Sequence, residues 1–389
     1  MYLFAFFIAT ELLTPVVIQR QFYNKSKFIF YLLCIVHAVM SIWFWMLFIE
    51  TKTYRGPFDS PSNIWNIMQV KGIASAVMIP RAIIIITHFL GKFLKCKNWL
   101  ANTGFAIASV VFCVIAIGAL FGRFNVKIEN VEIKIEGLHK DLDGLKIVHI
   151  SDLHLACFYH SKEVLSGFMD KINSLNPDII INTGDFVAFG WREFDDFDTI
   201  LLKAHSKYGN IAVIGNHDYG TYHPTFTEAD RKKNIFIINQ KIKSSGYFVL
   251  NDESMIINVG DAKIGVIGVM TMGRHPNILH GNIDSALKNI DSTDLKIALS
   301  HDPNHFSMAI DKKTDIDITL SGHTHGMQMG IMTKNFKWSP AKYFYPHWNG
   351  LYVSGKQYHY VNRGLGIHSI PFRIWMPPEI TLITLKKEN

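Results

Sequence analysis

The chain has 389 residues, a mean hydropathy of +0.14, a net charge of +7 and a pI near 9.0, enough length for one large catalytic domain and a second module. Residues 1–122 hold ten of the 39 Lys+Arg and three of the 32 Asp+Glu, so residues 123–389 balance at 29 of each sign and the net charge sits in the first segment. There the basic residues flank membrane-like apolar runs, which excludes a nucleic-acid-binding role; Cys34, Cys96, Cys113 and Cys157 form no Cys-x-x-Cys pair, which excludes a disulfide framework or a zinc–thiolate site.

A membrane-spanning helix needs about 20 apolar residues. Phe28–Ile49 and Asn98–Gly122 qualify without a formal charge. Met1–Gln19, interrupted by Glu11 and Pro15, and Val70–Leu90, with Lys71, Pro80 and Arg81, complete a reading of four spans. The first run lacks the basic start and small-residue cleavage site of a signal peptide. An ionisable group at membrane depth is costly unless paired, so Glu11 and Arg81 are expected to meet across the bundle.

Loop charge sets orientation. Arg20, Lys25 and Lys27 follow the first run and Lys92, Lys95 and Lys97 follow the third, so both loops are assigned to the cytoplasm. Four spans then leave both termini, and the domain over residues 123–389, outside a cell (inner) membrane crossed several times. Losing one span reverses that side.

From Val126 the pattern changes to short β-type runs separated by helix-like stretches. Strands are expected at Val126–Ile135, Leu145–Ile150, Asp178–Asn182, Ile211–Ile214, Lys263–Met270, Lys296–Leu299, Asp317–Leu320, Tyr358–Asn362 and Ile380–Leu385. Helices are expected at Ser161–Leu175 and around Phe194–Lys207. Such an order suggests a mixed α/β sandwich.

Five of these runs deliver a polar cluster where open α/β sheets bind ligands. They are Asp152-Leu153-His154, Gly184-Asp185, Gly215-Asn216-His217-Asp218, His301-Asp302 and Gly322-His323-Thr324-His325-Gly326. Imidazole, carboxylate and amide oxygen together suit divalent Mn, Fe, Co or Zn. Two such ions about 3.5–4 Å apart clamp the attacking and leaving oxygens of an in-line displacement. One Gly-Asp or one Asp-x-His says little; five clusters in this order do not arise by accident. His139, His149, His160, His205 and His359 occupy no such position and are read as core or surface histidines.

On these motifs, residues 145–386 resemble the calcineurin-like metallophosphoesterases. The resemblance implies an αββα sandwich preceded by the helical transmembrane module of residues 1–122. It implies Asp152, His154 and His325 on a first metal ion, Asp185 bridging, and Asn216, His301 and His323 on a second. His217 would stand by the leaving group, with Asp218 orienting it. The tail, Asn362-Arg363-Gly364-Leu365-Gly366 and Pro377-Pro378-Glu379-Ile380, resembles the membrane-anchored bacterial branch, which is similar to enzymes cleaving the pyrophosphate of UDP-2,3-diacylglucosamine and to exported phosphoesterases. Met327 departs from the glycine common after His-Thr-His-Gly and is expected to narrow the pocket.

Arg274 and Arg363 are candidate phosphate clamps, because a guanidinium grips phosphate bidentately. Nine aromatic residues between Asn335 and Tyr360 are read as a lipid-contacting flap or as ordinary loop packing. The expected activity is hydrolysis of a phosphodiester or pyrophosphate bond, with a phosphorylated lipid as substrate and the bilayer as partner. The alternative is a membrane receptor or scaffold that binds a phosphorylated ligand without turnover. Oligomeric state is left open.

Overall fold

The computed structural model describes residues 2–96, 99–271, 281–288, 290, 292–333 and 336–388. It divides into two compact units. Met1–Gly56, Trp65–Gly122 and Ser369–Ile374 form the first, and Pro57–Ile64, Arg123–His368 and Trp375–Asn389 the second. Composition gives no hint of the two exchanged segments, 57–64 and 369–374.

The first unit is built on α1 (Tyr2–Phe22), α2 (Lys27–Thr53), α3 (Pro61–Phe93) and α4 (Trp99–Ile117), the last continued by a π turn over Gly118–Gly122. Among the described residues, Lys27–Thr53, Pro61–Phe93 and Trp99–Gly122 are long and apolar enough to cross a membrane. The expected first span is a helix as well, but it is not in that group. On α2, Phe28, Met46 and Ile35 are 77, 65 and 60 % exposed; a helix this apolar on its outward face is suited to hydrocarbon rather than water.

Inside the unit the ionisable groups pair. Arg81 Nη1 donates to Glu11 Oε1, while Arg81 Nη2 donates to Ser41 Oγ at 2.8 Å and Ser41 Oγ donates to Glu11 Oε2 at 2.7 Å. The expected pairing is thus a three-residue network linking α1, α2 and α3. Removing one partner of a buried pair strands the other charge, at a cost of about 3–5 kcal/mol. Glu11→Gln and Arg81→Gln should each lower the melting temperature in detergent by a similar amount, and the Glu11→Arg/Arg81→Glu swap should recover most of it. A swap that melts as the sum of two independent losses would rule the pairing out as a source of stability.

The second unit holds two six-stranded sheets. The strands in chain order are β1 (Lys127–Glu136), β2 (Lys146–Ile150), β3 (Ile179–Asn182), β4 (Asn210–Ala212), β5 (Tyr247–Val249), β6 (Glu253–Val259), β7 (Ala262–Val269), β8 (Leu295–Ser300) and β9 (Ile318–Ser321). They continue with β10 (Ile331–Met332), β11 (Lys337–Trp338), β12 (Gly350–Ser354), β13 (Gln357–Val361) and β14 (Glu379–Glu388). One sheet runs β1-β14-β2-β3-β4-β5, the other β12-β13-β9-β8-β7-β6, and β10 and β11 form a separate ribbon. β14 lies parallel to β1 and antiparallel to β2, between strands far earlier in sequence.

The sheets face each other. Ile147, Ile179 and Ile211 from the first share one buried cluster with Val266, Ile297 and Leu320 from the second. Near-continuous apolar strands are what a sheet covered on both faces requires. Helices α5 (Lys162–Ser174), α6 (Phe197–Leu201) and α7 (Glu228–Ser244) bury apolar residues including Phe168, Phe197 and Ile242. The outward-facing Ile267 and Ala298 of the second sheet pack with Phe306, Ile310 and Ala286 of α8 (Ile283–Ala286). This is an αββα sandwich.

Two expected elements differ, and β5, β6, β10, β11, β12, α7 and α8 are unassigned from the pattern. The helix around Phe194–Lys207 shrinks to a 3-10 turn, Trp191–Phe194, and the five residues of α6, because Asp195 between them has a left-handed φ of 41°. The strand expected at Ile211–Ile214 is Asn210–Ala212, its last two residues already bending toward Gly215. Helix α7, unassigned from the pattern, starts at a reciprocal cap in which Thr227 Oγ1 accepts from the Asp230 amide and Asp230 Oδ2 accepts from the Thr227 amide.

Candidate metal centre

Five strand ends meet at one place: β2, β3 and β4 of one sheet, β8 and β9 of the other. Asp152, His154 and His325 bring one donor atom each within 4.8 Å of one another, and Asp185, His301 and His323 do the same. The first trio is the first ligand group that the resemblance implies; the second joins the expected bridge Asp185 to His301 and His323. Asp152 and His301 are fully buried, while His217 and His323 keep partial access to solvent.

The loop after β3 orients the histidines. His301 Nδ1 donates to Thr183 O at 2.8 Å, His154 Nδ1 to Val187 O at 3.1 Å and His217 Nδ1 to Ala188 O at 2.6 Å. A carbonyl only accepts, so each Nδ1 carries a proton and Nε2 is the nitrogen turned to the site. His301 Nε2 is 3.1 Å from Asp185 Oδ2, and His154 Nε2 is 3.8 Å from the same oxygen. His325 Nε2 stands 3.3 Å from Asp152 Oδ1 and 3.1 Å from His154 Nε2.

The loop itself hangs on Asp218. Its Oδ2 accepts from the Asp185 and Gly215 amides at 2.8 and 2.9 Å, and its Oδ1 from the Val187 amide at 3.1 Å. Asp218 therefore holds the turns that carry Asp185 and Asn216. It does not orient His217 as the resemblance implies; the Ala188 carbonyl does that.

Charge follows geometry. Burial alone would raise the Asp152 and Asp185 carboxyls, but the surrounding histidines outweigh it and hold both far below the usual carboxylate range. Burial would lower His301, yet Asp185 and Asp152 lift it to about 10. Burial pushes His154 down to about 3 and also lowers His217.

The residues fit a pair of divalent cations. Asn216 Oδ1 is buried with no hydrogen-bond partner, an orphan that ordinarily calls for an ion or water. Asp152, His154, Asp185, His323 and His325 all take left-handed φ, between 42° and 73°. Each costs about 1 kcal/mol or more and persists only where the surroundings impose it, most often at functional sites. Their carboxylates, imidazoles and amide oxygen are the mixed set that Mn, Fe, Co or Zn prefers.

Arg363 is placed elsewhere. It is 2 % exposed, its guanidinium donating to Glu129 at 2.8 Å and Asn349 at 2.8 Å and lying 3.1 Å from Glu379. That corrects the expected phosphate clamp to a tie between β1, the 349 loop and β14. The neighbouring glycines brace the site instead: the Leu365 and Gly366 amides donate to the Ser151 and Asp152 carbonyls at 2.9 and 2.8 Å. Arg274 lies outside the described residues. Met327 is 36 % exposed and takes a left-handed φ of 49°.

Three contacts escaped the sequence reading. Tyr345 Oη is 2.9 Å from His323 Nε2, Tyr222 Oη accepts from Asn216 Nδ2 at 3.1 Å, and the His368 ring centroid is 4.3 Å from that of His217 and 5.0 Å from that of His154. Tyr222, six residues past Asn216, was within reach of its motif; the other two come from loops with no local signature.

Two facing sheets with paired carboxylate–imidazole trios at their strand ends define a dinuclear metallohydrolase. The chain belongs to the calcineurin-like metallophosphoesterase family. The family model for calcineurin-like phosphoesterase matches residues 145–327. An uncharacterised metallophosphoesterase of Bacillus subtilis is 30 % identical over 271 residues, 67 % of this chain and 87 % of that one. An uncharacterised metallophosphoesterase of Campylobacter jejuni is 24 % identical over 387 residues, covering 98 % and 94 %. A transmembrane protein with metallophosphoesterase domain from Danio rerio is 27 % identical over 317 residues, covering 77 % and 68 %. The chain is thus a membrane-associated phosphoesterase hydrolase whose cofactors are two divalent metal ions.

Gly215 tests how tightly the centre is built. A Cβ there would lie 2.1 Å from Asp185 Oδ1 and 2.6 Å from the Asp185 amide, and Asp185 is pinned from two sides. Gly215→Ala should weaken divalent-metal affinity about 10–100-fold, read as bound Mn per chain against free Mn. Unchanged metal content would mean that the loop can relax.

Proposed function

We propose that the protein hydrolyses a phosphodiester or pyrophosphate bond of a lipid-linked substrate, with its catalytic unit on the extracytoplasmic face of the membrane. The observation that carries the reaction is the convergence of both trios on one pocket with His217 beside them. Asp152, His154 and His325 would hold one ion and His301, His323 and Asn216 the other, with Asp185 available to both. Bound ions of this kind supply a strong nucleophile at neutral pH and neutralise charge on the phosphoryl oxygens. His217, its Nδ1 proton committed to Ala188 O, presents Nε2 toward the leaving oxygen; as the imidazolium it passes the Nε2 proton to that oxygen and is left as the neutral imidazole. Asp152 and Asp185 stay ionised throughout, since their histidine neighbours hold them so.

The lipid reading is supported by the segment beside His323. Its Ser339 Oγ donates to Gly326 O, and Thr324 Oγ1 donates to Trp348 O at 2.7 Å, so it is fixed to the metal loop. Yet Tyr343, Phe336 and Phe344 are 69, 54 and 52 % exposed. Ordinary loop packing buries such rings, whereas an acyl chain or membrane interface accepts them. The orientation is supported by the basic loops around Lys25 and Lys95, which favour the cytoplasm. On the extracytoplasmic side a nucleotide-linked lipid such as UDP-2,3-diacylglucosamine is out of reach, and envelope phospholipids or wall-linked phosphates are the accessible substrates.

His217→Ala should lower kcat on a diester by about 10²-fold or more with KM and metal content near wild type. Asn216→Ala should lose both turnover and one ion per chain, and chelation should abolish activity until Mn²⁺ is restored. Full activity in both variants would refute the assignment. A compartment-sensitive reporter fused after Asn389 in a bacterial host should report the external side; a cytoplasmic signal would reverse the orientation and restore the nucleotide-linked lipid.

A further inference from the structure

The catalytic unit contains a segment that its sequence neighbourhood assigns to the membrane module: Pro57–Ile64, the loop before α3 and that helix's first turn. Within it Asp59 is fully buried, a costly place for a carboxylate unless it is paired. Its Oδ1 takes Arg192 Nη1 at 3.0 Å and lies 3.7 Å from His223 Nε2, and its Oδ2 accepts from the Arg192 amide at 3.3 Å. Gly190 passes so close that a Cβ on it would sit 2.3 Å from Asp59 Oδ2. Beside it, the Phe58 ring meets Phe189 and His223 edge-on at 5.3 and 5.2 Å.

These contacts grip two segments, and His217 hangs between them. On one side is the 188–193 loop, whose Ala188 carbonyl accepts from His217 Nδ1 at 2.6 Å. Glu193 ties the inside of that loop, accepting from the Ala188, Phe189 and Gly190 amides at 3.0, 2.6 and 3.1 Å. On the other side is the turn that follows His217, where the Gly220 amide donates to His217 O and the His223 amide to Gly220 O, at 3.1 and 3.2 Å. Glu193 shapes the loop, Asn234 ties it to the start of the turn by accepting from the Trp191 amide at 2.8 Å and donating to Asp218 O at 2.7 Å, and Asp59 ties it to the far end at His223.

We propose that Asp59 is a positioning residue for His217: by clamping the 188–193 loop to the His223 turn, it sets where the Ala188 carbonyl aims the imidazole. Asp59 touches neither substrate nor metal ligand. It acts through the carbonyl that holds the His217 Nδ1 proton and so turns Nε2 toward the leaving oxygen, and this role rests on the function proposed above.

A leaving-group comparison on the full-length protein in detergent tests it. Rates with Mn²⁺ would be measured on two aryl phosphodiesters differing only in the leaving phenol, p-nitrophenyl and phenyl. The p-nitrophenolate leaves without a proton and phenolate needs one, so misplacing His217 should fall on the second. Asp59→Asn should lower kcat about tenfold or more on the phenyl ester and less than about threefold on the nitrophenyl ester. KM and bound Mn should stay put. Arg192→Met, which cuts the same tie from a more exposed partner, should repeat that signature, and Asp59→Asn should add nothing in a His217→Ala background. Equal losses on both esters, no loss, or additivity with His217→Ala would overturn the positioning role while leaving the function standing. If His217→Ala itself spares both esters, the function and this inference fall together.

Discussion

The active centre depends on one short stretch of backbone. Between Thr183 and Ala188 the chain offers three carbonyls, and each takes the Nδ1 proton of a histidine from a different part of the sequence. A free imidazole exchanges its proton between two nitrogens and rotates; here both freedoms are removed before any ion arrives. Second-sphere acceptors of this kind orient metal-binding histidines generally. What is unusual is their concentration in six residues, which makes the loop a single object whose displacement disturbs all three rings at once. Asp218 holds it by two amides and Glu193 holds its continuation by three.

Much of this centre was legible beforehand because its chemistry is written locally. A polar cluster directly after an apolar run sits at a strand end in almost any α/β arrangement, so Asp152, Asp185, Asn216, His301 and His323 could be placed together from order alone. Glu11 and Arg81 were legible for a related reason: a charge within an apolar helix has few affordable states, and pairing is one. Arg363 and Asp218 were misread where the deciding partner is remote in sequence. Nothing near Arg363 announces Glu129, 234 residues away, and a guanidinium shared by two carboxylates looks, in sequence, like one awaiting phosphate. Asp218 sits next to His217, and adjacency suggested a contact that the turn geometry does not make.

Secondary structure was misjudged by the same distinction. Apolar spacing around Phe194–Lys207 fits a helix, but Asp195 takes left-handed φ while the chain is being fitted around Glu193 and Lys162. Lys162 Nζ donates to Asp195 at 3.1 Å and also to Asp196, contacts that favour the break over an extra turn of helix. Tertiary demand overrode local propensity at a loop that supports the site, where local rules are most often set aside.

Strand β14 has a consequence for how the protein is made. Residues 379–388 fill the gap between β1 and β2, and β2 is the strand that delivers Asp152 and His154. During synthesis the first sheet therefore stands open, with the edge of β2 unpaired, until the last strand in sequence order leaves the ribosome. By then the apolar helices have long since emerged. The chain order itself thus places closure of the first sheet, and completion of the strand set behind the metal centre, after synthesis of the apolar helices.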